Sequence, residues 1–106
     1  MKIQFQYFDD CPNHDATLSL LNDVLRSRGV ETPVESVDAG DDAELAERIR
    51  FGGSPTIRID DQDIEPGFID GGDYTLRCRV YATSEGLRGT PERGWIEAAV
   101  DRARGA

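Results

Sequence analysis

The sequence is poor in the residues that announce a chemistry: it contains two cysteines, one histidine, one methionine and one tryptophan. So few cysteines exclude the disulfide framework of a small secreted domain, and in a reducing compartment such residues are catalytic, metal-binding or inert. Basic residues are scarce too, with 12 Lys and Arg against 21 Asp and Glu and a formal net charge of −9. That balance repels phosphate backbones and anionic lipid, so neither nucleic acid nor a membrane surface is an expected partner. No apolar run approaches the ~20 residues that span a bilayer, and the N-terminus lacks a basic segment followed by an apolar signal core. A cytoplasmic protein is expected. What is present, 106 residues of which 38% are hydrophobic, suffices for one compact domain, expected to cover residues 1–106.

Lys2 to Phe8 alternates, with Ile3, Phe5 and Tyr7 on one face and Gln4, Gln6 and Phe8 on the other, which predicts a strand. From about Asn13 to Arg28 the residues Leu18, Leu21, Val24 and Leu25 recur at helical spacing up to Gly29, and the helix is expected to start at Cys11 and Pro12. Pro33 to Asp38 reads as a weaker strand. Asp41 and Asp42 can cap a second helix carrying Leu45, Ala46, Ile49 and Phe51 on its buried side and ending at Gly52-Gly53. Ile57 and Ile59 alternate with Arg58 and Asp60, and a turn at Asp61-Gln62 leads back through Asp63 to Glu65 as a hairpin. The glycine-rich stretch from Pro66 to Asp73 reads as irregular, and Leu76 to Tyr81 as a short strand or buried loop. Thr90-Pro91 predicts the cap and first turn of a last helix with Trp95, Ile96, Ala99, Val100 and Ala103 as its apolar stripe.

The reactive atom expected from this arrangement is the sulfur of Cys11. A helix N-terminus presents unpaired N–H groups and a partial positive charge that favour a thiolate, the nucleophilic form, whereas Asp9 and Asp10 oppose it. His14, three residues on, can bring its imidazole towards the sulfur as proton donor or ion-pair partner; the alternative is an exposed first-turn histidine. Cys78 can be a resolving thiol, a metal ligand or a core filler between a solvated Arg77 and Arg79. Trp95 reads as core, and Asp60-Asp61-Gln62-Asp63 as a solvated turn, since the later glycine and glutamate of a calcium loop are missing.

The order β-α-β-α-β-β-α, with a cysteine at the first helix and a proline leading into the third strand, resembles the thioredoxin fold: an α/β protein with a central mixed sheet flanked by helices. In that superfamily the proline follows a cis peptide bond beside the active cysteine, and backbone groups there pair with an extended substrate. The resemblance gives this role to Pro55, preceded by Ser54 and followed by Thr56, with Pro12 next to the cysteine. A narrower resemblance rests on Tyr7-Phe8…Cys11-Pro12-Asn13, Gly53-Ser54-Pro55-Thr56-Ile57, Leu76-Arg77-Cys78-Arg79-Val80-Tyr81 and Gly86-Leu87…Gly89-Thr90-Pro91. These blocks are similar to short bacterial thioredoxin-like proteins of the DF family of (seleno)proteins, some of which carry an alkylmercury lyase label. The resemblance implies a reactive thiol at Cys11. The chain departs from thioredoxins proper at His14, where they have the second cysteine of Cys-x-x-Cys.

The function expected is a thiol-disulfide oxidoreductase in which Cys11 attacks and either Cys78 or an external thiol such as glutathione or a protein thiol resolves the product. No cofactor is expected. The alternative is a soft-metal protein holding zinc, copper or mercury through Cys11, Cys78 and His14, one ligand short of a closed zinc site.

Overall fold

β1 (Ile3–Tyr7) is the strand around which the sheet is laid, as a computed structural model describing residues 1–105 shows. It pairs in parallel with β2 (Val34–Asp38) and antiparallel with β3 (Thr56–Ile59), so that Phe5 stands between Ser36 and Ile57. β4 (Gln62–Asp63) closes the sheet antiparallel to β3, giving the order β2-β1-β3-β4. Asp60 and Asp61, which join β3 to β4, both have positive φ, the left-handed backbone that a two-residue hairpin connection requires. The result is an α/β protein with a mixed sheet.

The alternation of β1 decides what packs where. Ile3 and Phe5 are buried with Ile57 and Ile59 against Leu21, Val24 and Leu25 of α1 (His14–Ser27) and Ile96, Ala99 and Val100 of α3 (Arg93–Ala103). Trp95 is half-buried against the same cluster. Gln6 points the other way and is also buried, but its amide is satisfied: it donates to the Gln4 side chain and the Ile49 carbonyl, and accepts from the Gly52 N–H. A second, smaller cluster joins Ala39, Phe51 and Ala46 of α2 (Ala43–Arg48), with Phe8, Ile49, Tyr74 and Leu76 packed on it.

Three boundaries differ from the sequence reading. The first helix begins at His14, with Asn13 as its N-cap and Pro12-Asn13 in a turn, so Cys11 precedes the helix. α2 is capped by Asp42, whose carboxylate accepts from the Leu45 N–H, but it stops at Arg48, and Arg50 turns left-handed before the glycines are reached. The last helix starts after Glu92 rather than after Thr90, because Glu92 is extended and its carboxylate is drawn back to the Ser84 N–H. Ser84 lies in the turn of a hairpin absent from the sequence reading, β5 (Tyr81–Thr83) with β6 (Gly86–Arg88). Among the described residues no helix is long and apolar enough to cross a membrane.

Candidate functional site

The loop between β1 and α1 carries Cys11 to the sheet end where Pro55 leads into β3. Its N–H donates to the Phe8 carbonyl at 3.1 Å, closing a tight turn, and its thiol donates to the Ser54 carbonyl at 3.4 Å. Cys11 is only 1% exposed. The Ser54 hydroxyl accepts from the Phe8 N–H at 3.3 Å, so Ser54 holds both ends of the turn. The Ser54-Pro55 peptide bond is cis.

Ser54, Pro55 and Thr56, expected to meet a substrate, are all buried; Pro12 is exposed. What covers them is the chain itself. Residues 77–79 lie alongside Ser54 as an isolated parallel bridge centred on Cys78. The Ser54 N–H donates to the Arg77 carbonyl at 2.8 Å, and the Ser54 carbonyl accepts from the Arg79 N–H at 2.8 Å. Gly53 makes the approach possible. Its φ is +97°, and a Cβ there would stand 2.9 Å from the Cβ of Arg79, so a side chain would be both strained and in collision.

The bridge brings the two cysteines together. Cys78 is exposed, and partial desolvation of its thiol together with the adjacent Cys11 pushes its pKa above the ordinary value. A pair of neighbouring thiols, one on an exposed residue and one covered, can exchange with a disulfide in two successive steps.

Arg79 was expected to be solvated, and it is not: it is 6% exposed. The bridge turns its side chain inward, where it donates to Asp63 at 2.6 and 2.8 Å, to Glu65 at 3.0 Å and to the Thr56 hydroxyl at 3.0 Å. Its guanidinium also lies 4.5 Å from the Phe68 ring centre and 4.4 Å from that of Tyr81. Burial disfavours the charge, but Asp63, Tyr81 and Glu65 outweigh it and raise the Arg79 pKa. Asp63 is therefore no solvated turn residue. Tyr81 in turn donates its hydroxyl to the Pro55 carbonyl, and burial raises its pKa. Asp63, Glu65, Arg79 and Tyr81 thus seat the segment bearing Cys78, and none of the four stood out in the sequence. The available signal was the i, i+2 spacing of Arg79 with Tyr81 and of Asp63 with Glu65, which places each pair on one side of an extended chain.

His14 stands apart from this arrangement. Its ring packs on Tyr7 with centroids 4.9 Å apart, and its nitrogens face Asp15 at 3.2 Å and Asp9 at 3.9 Å. Among the described residues no group of three or more His, Cys, Asp and Glu is placed to hold a metal ion. Comparison with protein-family models, curated proteins and solved structures finds no match for the chain.

Proposed function

We propose that this chain is a thiol-disulfide redox protein in which Cys11 and Cys78 interconvert between a dithiol and an internal disulfide. The observation that carries the reading is the bridge of Cys78 to Ser54, the residue whose carbonyl also receives the Cys11 thiol. Two cysteines held at one residue, Cys78 by its backbone and Cys11 by its thiol, have a short path to bond formation, and the exposed one gives an oxidant access to the pair. Supporting the thioredoxin-like part of the reading are the mixed sheet with parallel β1 and β2, the antiparallel β3 and β4 after the proline, and the cysteine beside that proline. The β5/β6 hairpin is an insertion into that plan. Exchange of this kind requires no cofactor, and low-molecular-weight thiols such as glutathione are suitable partners.

The test is intact mass and free-thiol count after treatment with diamide. Loss of two hydrogens in the monomer, with both thiols consumed, is expected, and Cys78→Ser abolishes it. Retention of two free thiols under oxidant that consumes an accessible thiol pair overturns the reading.

A further inference from the structure

Resting on the redox pair just described, we infer that Cys78 is the thiol that meets the substrate and Cys11 the one that resolves, and that the substrate is a low-molecular-weight disulfide rather than an extended polypeptide. This reverses the order that the position of Cys11 in the sequence suggests.

Three observations carry it. Cys11 is sealed: it is 1% exposed, and its thiol is directed onto the Ser54 carbonyl, whereas Cys78 faces solvent. A sulfur under cover reacts with an external disulfide only after the covering segment opens, while an exposed one needs no opening. Next, both backbone hydrogen-bonding groups of Ser54 are occupied by residues 77–79. An incoming extended chain could pair there only by displacing that segment, which Arg79 anchors through Asp63, Glu65 and Thr56. Finally, Cys78 itself and Arg77 before it are exposed, so a small reagent can approach from that side. The Arg77 guanidinium is held by the Asp73 carbonyl and the Thr75 hydroxyl and leaves its charge for an anionic ligand such as oxidised glutathione.

The exchange proceeds in two displacements. The Cys78 thiolate attacks one sulfur of the disulfide, a Cys78 sulfur bond forms, and one thiolate leaves with the electron pair and takes up the proton that Cys78 gave to solvent. Cys11 then loses its proton and attacks the Cys78 sulfur of the mixed disulfide; the second small thiolate departs and is protonated. The protein pair is oxidised by two electrons, and the small disulfide is reduced to two thiols.

Two variants and oxidised glutathione test the order. In Cys11→Ser the adduct on Cys78 accumulates, because nothing resolves it, whereas in Cys78→Ser Cys11 is modified at least about tenfold more slowly until urea opens the fold. In the unaltered protein, a brief pulse of limiting iodoacetamide and peptide mapping find Cys78 carboxamidomethylated first. Faster adduct formation on Cys11 in Cys78→Ser than on Cys78 in Cys11→Ser overturns the order while leaving the redox pair standing. Absence of both the adducts and the internal disulfide overturns the pair itself. Substrate size has its own arm: a disulfide within an unfolded polypeptide is reduced by the dithiol protein more slowly than oxidised glutathione, and the reverse ranking removes the small-substrate assignment.

Discussion

Ser54 and Cys78 face each other as a lone parallel β-bridge, and the Ser54 carbonyl accepts both the Arg79 N–H at 2.8 Å and the Cys11 thiol at 3.4 Å. One acceptor therefore couples the cover to the sulfur beneath it. Loosening the bridge is expected to loosen the hold on Cys11 as well.

Arg79→Met tests that coupling. Removing the cation leaves Asp63, whose side chain is 5% exposed, as a buried charge without its partner, at a cost of about 3–5 kcal/mol. The urea midpoint falls accordingly, and Cys11 alkylation quickens because the segment over it is no longer anchored. Adding Asp63→Asn recovers most of the loss. A midpoint within about 1 kcal/mol of the unaltered protein would show that the buried cluster does not hold the segment.

Tyr81→Phe removes the hydroxyl that the buried Pro55 carbonyl accepts. Leaving that oxygen without its partner is expected to cost about 1–3 kcal/mol in thermal or urea unfolding, with no change in the m-value. A neutral substitution would indicate that water satisfies the carbonyl in its place.

His14→Ala is expected to change the rates of modification of Cys11 and Cys78 by less than about twofold at any pH, since proton transfer requires hydrogen-bond reach. The ring instead packs on Tyr7 and faces two exposed carboxylates. A shifted thiol titration in this variant would restore the imidazole to the chemistry.

The pH dependence of Cys78 follows from its raised pKa. Partial desolvation and the adjacent Cys11 favour the protonated thiol, so at a given pH less thiolate is present than for an ordinary thiol of pKa 9.0. Its alkylation rate therefore keeps rising with pH beyond 9.0, where an unperturbed thiol has begun to level off. In Cys11→Ser the profile moves to lower pH because one cause of the shift is gone. A plateau below 9.0 in the unaltered protein would contradict the assignment. Cys78 is thus selected by access and not by acidity, and a less acidic thiol is also the more intrinsically nucleophilic as thiolate.

The elements with a clear period were legible in the sequence. The alternation of Ile3, Phe5 and Tyr7 locates β1 to a residue at each end, and the helical spacing of Leu21, Val24 and Leu25 locates the body of α1 though not its start, because those patterns are what core burial demands. The resemblance to the thioredoxin fold set Cys11 beside Pro55, and the Cys11 thiol does lie on the carbonyl of Ser54, the residue before that proline. The cover was not legible. Residues 77–79 make one bridge instead of a ladder, so no alternation marks them, and the inward turn of Arg79 depends on carboxylates 14 and 16 positions earlier that only the folded hairpin presents. Charged residues read as solvated unless their partners are known.

The sheet ends on one side in β2, which presents Glu35, Ser36 and Asp38 to solvent, and on the other in a β4 of two residues. A neighbouring copy finds one rim lined with carboxylates and the other too short to template a further strand. Strand addition to the folded chain is disfavoured at both rims. The easier starting point is a molecule in which β2 or β4 has peeled away and bared the apolar flanks of β1 and β3.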